Sequence, residues 1–453
     1  MKLSDQRKQE KNSFETLKNS GILPVTAKTN PNYEFLIGGC SIKELVKDYG
    51  TPLYIIDEET IRRKCNEYLS SLHKFNQNSV VTYAAKAFAC KRLFKIISEL
   101  GLGLDVVSGG ELYTAIKSNF NPQQIYFHGN NKSQDEIEMA IDTNVGTIIC
   151  DNFLELELIN KIAKAKNKSI SIFIRLTPGI ECHTHEYIKT GHLDSKFGFD
   201  PEHLDEVLSF TAKNKQNIIL KGFHSHIGSQ IFELKPYEDT IDFLLEKIHY
   251  TKEKYNLEIA EINIGGGIGI SYTPSDDPIP LETWTKTVTN RLALKSNELK
   301  IKIPKLICEP GRSIIAQAGV TIYTAGSIKQ VPGGRKFISV DGGMADNPRP
   351  ITYQARYEAL VGTKLSPKDD LNLETVTIAG RYCESGDILI QNITLPKIES
   401  GDLIIIFGTG AYNYSMSSNY NMVPRPACIL LNNGKSEVII ERETYEDLIS
   451  KHK

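Results

Sequence analysis

Residues 80–150 read VVTYAAKAFACKRLFKIISELGLGLDVVSGGELYTAIKSNFNPQQIYFHGNNKSQDEIEMAIDTNVGTIIC, and this stretch decides the fold. It holds four short runs of strand character: VVTYA (80–84), LDVV (104–107), QIYFH (124–128) and GTIIC (146–150). Between them lie KRLFKIISEL (91–100), ELYTAIKS (111–118) and SQDEIEMAI (133–141), with apolar residues at helical spacing. Asn131-Lys132-Ser133 and Asp151-Asn152 place capping side chains just ahead of helices. The strand-like runs are apolar on both parities, as strands covered on both faces should be.

The pattern continues outward. SIFIRL (171–176), LKGFHSHI (220–227), AEINIG (260–265) and PKLICE (304–309) read as further strands. LELELINKIAKA (154–165), EHLDEVLSFTAK (202–213) and YEDTIDFLLEKIHYTKEK (237–254) read as the helices between them. Eight strands alternating with helices predict an α/β fold, a closed (β/α)8 TIM-type barrel. The rival is an open doubly wound sheet. The count of eight, and the gathering of chemically active residues at strand C-termini, favour the barrel.

After about residue 320 helical periodicity becomes scarce. VTIYTAGSI, RKFISVDGG, TVTIAG, DLIIIFG, CILLNNG and SEVIIE are strand-like, separated by turns such as Pro332-Gly333-Gly334 and Asn432-Asn433-Gly434. We therefore expect a polar arm over 1–32 and a segment over 33–58, including the strand LYIID (53–57), that contributes to a β domain. The barrel is expected over 59–319 and a C-terminal mostly-β domain over 320–453.

Composition narrows the function classes. The chain has 453 residues, enough for two domains, and a net charge of −2, which offers no electrostatic reason to bind nucleic acid or an anionic membrane. No apolar stretch approaches a membrane span, and the N-terminus MKLSDQRKQEKNSFETLKNS has no apolar core of a secretory signal. The eight cysteines form no C-x-x-C pair, so a reducing cytoplasm is expected.

The chemistry sits at strand ends. Lys86 follows the first run of the barrel, and its amine can condense with an aldehyde once partly desolvated. Taken alone, a lysine there is more often a solvated surface charge. Gly265-Gly266-Gly267 follows AEIN, and such a turn exposes backbone N–H groups that can cradle a phosphate, although tight loops also need glycine. Glu309 opens Glu309-Pro310-Gly311-Arg312, where a carboxylate can face a pyridine nitrogen or pair with a surface lysine. His224 and His226, two apart on an expected strand, admit three readings: satisfied core histidines, a metal pair completed by His128 and Asp151, or a ring stacked on a cofactor. A metal would leave Lys86 and the triple glycine without a role.

Together these residues resemble a family. Tyr83-Ala84-Ala85-Lys86-Ala87, Asp105-Val106-Val107-Ser108-Gly109-Gly110-Glu111-Leu112, Lys196-Phe197-Gly198, His224-Ser225-His226-Ile227-Gly228-Ser229-Gln230, Gly265-Gly266-Gly267, Glu309-Pro310-Gly311-Arg312 and Cys383-Glu384-Ser385-Gly386-Asp387 resemble the diaminopimelate decarboxylases, in that family's order, from about residue 34 to about 445. These are fold-type III pyridoxal-phosphate enzymes with an alanine-racemase-like barrel. The resemblance implies that Lys86 tethers pyridoxal 5'-phosphate and that His226 stacks on its ring. Ser229, Gly265, Gly266, Gly267, Glu309, Pro310, Gly311, Arg312 and Tyr412 would line the cofactor, with Glu309 toward the pyridine nitrogen. Arg312, Arg349, Tyr353, Glu384 and Tyr412 would bind an amino-acid substrate, and Cys383 would protonate the product carbon. The Cys383 loop would reach the active site of a partner subunit, implying a homodimer with shared sites.

Two departures from the family pattern stand out. Phe88 occupies a position commonly held by Asn, and Arg381-Tyr382 replaces a Pro-containing pair before Cys383. Related decarboxylases of ornithine, arginine or carboxynorspermidine are the first alternative, and Arg349 with Glu384 speaks for a substrate bearing a distal carboxylate and amine. A non-catalytic relative should have lost Lys86 or Cys383, and this chain has both. A metal-dependent barrel hydrolase built on His224 and His226 is the third alternative.

Overall fold

The computed structural model describes residues 13–180, 195–366 and 372–453. Cys182 and residues 1–12 of the expected arm lie outside them. One compact unit takes Arg62–Ile270 and Asp277–Ser313; the other takes the chain up to Ile61, Ser271–Asp276 and Ile314–Lys453.

The first unit is a closed barrel of eight parallel strands: Val80–Ala84, Gly103–Val106, Ile125–Phe127, Thr147–Cys150, Ile170–Arg175, Ile218–His224, Glu261–Asn263 and Lys305–Cys308. The last strand pairs with the first through Ile307–Val80 and Cys308–Val81, which closes the ring. Side chains on alternate parities are buried on both faces, which is why the strands read as apolar runs without alternation. The barrel interior includes Tyr126, Ile149, Phe173 and Ile307.

Helix starts follow the capping chemistry of the sequence. Ser133 closes a capping box with Glu136 ahead of Gln134–Asp142, and the Asn152 side chain accepts from Glu155 N–H ahead of Phe153–Ala165. The loops at these two starts share a buried ion pair. Lys132 Nζ lies 2.6 Å from Glu155 Oε1 and donates to the carbonyls of Gly129 and Ile149 at 2.8 Å each. The charge is thus fully hydrogen-bonded, the condition under which burying it is tolerable.

One strand ends earlier than its sequence suggests. The run 220–227 becomes Ile218–His224, so His226 lies beyond the strand rather than on one face with His224. A bulge between Leu220 and Gly222 shifts the register, Ser225 Oγ bonds Leu176 O, and Gly228 turns away at φ 144.

The second unit is mostly β. Its nine-stranded sheet includes Leu53–Asp57, which pairs antiparallel with Gly319–Gln330 and parallel with Ala427–Asn432. Ile388–Pro396 and Ala359–Val361 are strands that the sequence pattern did not announce, because polar Gln391 and Asn392 (φ 53) interrupt the first and the second is three residues long. A three-stranded sheet, Lys28–Thr29, Phe35–Ile37 and Cys40–Ser41, lies in the same unit. From Ser13 onward the N-terminal segment is anchored: the helix Phe14–Asn19 buries Leu17, and Ile22, Leu23 and Ala27 join the same core as Ile55, Val320, Ile405 and Ile429. Among the described residues no helix is long and apolar enough to cross a membrane.

Candidate active site

The site residues of the barrel stand just past the C-terminal ends of its strands. Lys86 sits in a single 3-10 turn, Ala85–Ala87, after the strand Val80–Ala84. Its side chain is exposed, while Ala84, Ala85, Ala87 and Phe88 around it are buried. Gly311 packs against this turn so closely that a Cβ there would meet the Cβ atoms of Ala84 and Ala87 at 3.0 and 3.2 Å. Ala84 N–H donates to Pro310 O (3.1 Å), which fastens the Glu309–Arg312 stretch to the lysine turn.

Glu309 is the electrostatic centre. It is buried, with Oε1 accepting from Asn263 Nδ2 (2.6 Å) and lying 2.8 Å from His128 Nε2. Oε2 lies 3.2 Å from His224 Nε2. Burial by itself would raise its pKa, but the flanking imidazoles outweigh this and hold the carboxyl well below its ordinary range. Burial lowers His224 to about 4 against the pull of Glu309, so near neutrality it meets the carboxylate as a neutral Nε2–H donor. Its Nδ1 is buried without a partner among the described residues. Asp105 Oδ1 lies 3.6 Å from the same nitrogen, His128 Nε2, its pKa raised by burial. Burial also pushes Glu111 up to about 7, against the Val107 N–H that its carboxylate accepts.

The glycines form a cradle that admits no side chain. A Cβ at Gly265 (φ +67) would fall 2.5 Å from His226 Nδ1, at Gly266 2.3 Å from Glu309 O, and at Gly267 (φ +109) 2.6 Å from Gly228 O. Gly266 N–H donates to His226 Nδ1 (3.3 Å), which fixes the imidazole beside the turn. Burial and the charge of Lys86 hold the His226 pKa well below normal, so its ring is neutral. Arg312 donates to Ser229 Oγ through Nε (3.2 Å) and a terminal nitrogen (3.0 Å). A lysine amine, a neutral imidazole, a carboxylate held anionic and a glycine turn beside an arginine form a donor set that fits pyridoxal phosphate. The same region offers another grouping: His128, His224 and Glu309 place ligand-type atoms within 4.8 Å of one another. Asp151 does not join it, since its Oδ2 accepts from Gly198 N–H (2.9 Å) and its Oδ1 lies 3.7 Å from Arg175.

The remaining candidates belong to the β unit. Arg349 and Tyr353 share the helix Arg349–Tyr353; Arg349 is buried and Tyr353 half-buried. Cys383 and Glu384 are exposed, and Cys383 N–H donates to Asn421 Oδ1 (2.9 Å). Tyr412 is half-buried with φ 62, a left-handed conformation uncommon for a non-glycine residue.

Comparison with known proteins identifies the family. Residues 58–316 match the family described as pyridoxal-dependent decarboxylase, pyridoxal binding domain. The chain is 48% identical to a diaminopimelate decarboxylase of Synechocystis sp., over 95% of this chain and 92% of that protein. The chain belongs to the diaminopimelate decarboxylase family. Another member, from Bacillus subtilis, is 41% identical over 94% of this chain and 96% of its own. A crystal structure of the diaminopimelate decarboxylase from M. jannaschii in complex with L-lysine superposes with a TM-score of 0.88, at 35% identity, over 95% of this chain and 98% of that one.

For a diaminopimelate decarboxylase, two substitutions in this chain have visible structural consequences. Phe88 is buried and its carbonyl accepts from Tyr83 OH (2.9 Å), so it fills the core beside the Lys86 turn. Tyr382 is buried, with its OH 3.3 Å from Asp346 Oδ1 and its N–H on Asp387 Oδ2 (2.8 Å), which ties the Cys383 loop to the sheet. Sequence reasoning missed Asn263 and gave His128 and Asp105 no part in holding Glu309. Each is a polar residue within or at the end of an apolar strand run, a signal available in the sequence but silent about which carboxylate it would meet.

Proposed function

We infer that the chain decarboxylates meso-2,6-diaminopimelate at its D-centre to give L-lysine and carbon dioxide, the last step of lysine biosynthesis. Similarity to diaminopimelate decarboxylases over nearly their full length supports the reading. One observation carries the choice of substrate. Arg349 is 5% exposed, yet among the described residues no carboxylate pairs with it. A buried guanidinium without an anion suits a ligand that brings a carboxylate of its own. Ornithine and arginine have no carboxylate beyond the one that reacts.

Bound pyridoxal phosphate supplies an electron sink for the pair left behind when carbon dioxide departs. Lys86 would provide the amine that tethers it. Gly265, Gly266, Gly267, Ser229 and Arg312 would hold the phosphate. Pro310 and Gly311 set the turn between Glu309 and Arg312, and His226 would cover the ring. Glu309, kept anionic by His128, His224 and Asn263, would hold a proton on the pyridine nitrogen. Arg312, Arg349, Tyr353, Glu384 and Tyr412 bind the ends of the substrate. Cys383 gives a proton from Sγ to the carbon that lost its carboxylate, as a general acid. Cys383 serves the site of a second copy, so the working form is a homodimer, and the enzyme acts in the cytoplasm.

The test has two arms. Borohydride reduction of the reconstituted protein, followed by peptide mass analysis, should place a phosphopyridoxyl group on Lys86. Carbon dioxide should be released from meso-diaminopimelate and not from ornithine, arginine or carboxynorspermidine. An unlabelled Lys86, or release from ornithine at an equal rate, would overturn the reading.

A further inference from the structure

Arg349 is held by aromatic residues. Its guanidinium carbon lies 5.1 Å from the centre of the Tyr272 ring and 5.9 Å from that of Tyr357. The two rings meet edge to face, 5.4 Å apart at 84°. Arg349 makes one side-chain hydrogen bond to the described residues, from a terminal nitrogen to Tyr357 OH (2.9 Å). We propose that Tyr357 and Tyr272 are positioning residues that hold Arg349 ready for the substrate carboxylate that does not react, and so set the preference for ligands carrying it. This rests on the decarboxylase reading above.

A desolvated cation needs partners, and the faces of aromatic rings supply part of the missing stabilisation without neutralising the charge. A carboxylate bound in the guanidinium plane would neutralise it through parallel N–H bonds. That geometry depends on the guanidinium holding one orientation, and the surroundings of both tyrosines are built to hold it.

Tyr357 is 2% exposed, and its OH donates to Asn413 Oδ1 (3.2 Å). Its proton is therefore committed to the amide, and its lone pairs are left for Arg349. Asn413 is itself fully buried, and its Nδ2 has no partner among the described residues, so the Tyr357 hydroxyl is what orients the amide. Tyr272 stands on a turn pinned by Asp276, whose Oδ2 accepts from the N–H groups of Tyr272 (2.9 Å) and Thr273 (2.8 Å). Its ring packs against Gly408, where a Cβ would come within 3.1 Å of a ring carbon. These contacts fix the Tyr357 hydroxyl and the Tyr272 backbone, and the close approach of Gly408 seats the Tyr272 ring.

The experiment uses the holoenzyme and the variants Tyr357→Phe and Tyr272→Leu. Calorimetry would measure binding of L-lysine, which keeps the carboxylate in question, and of pentane-1,5-diamine, which is the same chain without it. Each variant should bind L-lysine about ten-fold more weakly or worse, while the diamine changes by less than about two-fold. With diaminopimelate, the loss should fall on KM more than on kcat. The cofactor absorbance band and circular dichroism establish that each variant is folded and loaded. Equal weakening of both ligands, or of neither, overturns the inference. If the unchanged chain neither releases carbon dioxide from diaminopimelate nor binds L-lysine, the decarboxylase reading fails and the inference with it.

Discussion

Glu309 and His128 are joined at 2.8 Å in the buried floor of the barrel mouth, with Asp105 3.6 Å from the same imidazole nitrogen, Nε2. The carboxylate is thereby supported on both oxygens by barrel residues before any ligand is considered, since Asn263 and His224 complete its bonds. Replacing Glu309 by Gln should lower kcat by about 10²–10³, the usual effect of losing one fixed charge from a polar site. His128→Gln should cost about ten-fold, because one support of three is lost. Steady-state decarboxylation checks both. Activity within two-fold of the parent in Glu309→Gln would remove the carboxylate from the chemistry.

Gly266→Ala should weaken pyridoxal phosphate binding by about 100-fold or more, because the new Cβ falls 2.3 Å from a backbone oxygen that cannot rotate away. Gly110→Ala is the control. Its nearest neighbour lies at 3.7 Å, in a helix, so the change should leave cofactor binding intact. Absorbance titration with the cofactor reads both.

Cys383→Ala should cut turnover by about 10² or more, since a positioned proton donor is lost. Cofactor uptake should survive, because Cys383 lies in the β unit, outside the group of residues around Glu309. Full turnover in this variant would remove the thiol from the mechanism.

Lys132→Met should destabilise the protein by about 3–5 kcal/mol, because it leaves Glu155 buried without its cation. Adding Glu155→Leu should recover much of that loss, since an apolar pair no longer carries a buried charge. Chemical denaturation of the single and double variants tests this. A loss below about 1 kcal/mol in the single variant would contradict the assigned role.

Asp346 should make stability depend on pH. Burial raises its pKa to about 7, against the donors Tyr323, Gly343 and Tyr382. In the unfolded chain a carboxyl of this type titrates near 3.9, so the folded state binds the proton more tightly. The resulting stability is complete below about pH 4 and is lost as pH rises through 7. Asp346→Asn removes this dependence. Relative to the parent, the variant should gain about 1–3 kcal/mol between pH 5 and pH 8 in urea titrations. An unchanged difference across that range would contradict it.

The barrel was legible because its determinants are local. Apolar runs and helical spacing placed all eight strands, and Ser133 and Asn152 marked helix starts by side-chain chemistry that acts over three residues. Lys86, the triple glycine and Glu309 could be picked out for the same reason, as each stands at the end of a run. The strand Ile388–Pro396 was not legible, because its pairing with Leu373–Ala379, rather than its own composition, makes it a strand.

Long-range contacts decided the rest. His224 and Glu309 are 85 residues apart in sequence, and only barrel closure makes them hydrogen-bond partners. The place of His226 beyond its strand, the support of Glu309 by His128 and Asn263, and the hold of Tyr272 and Tyr357 on Arg349 arise in the same way. Sequence by itself determined which segments are strands and which residues carry reactive groups, because periodicity and capping act over a few residues. Tertiary structure alone decided which groups meet and what charge they bear, because burial and Coulomb interactions depend on distance in space.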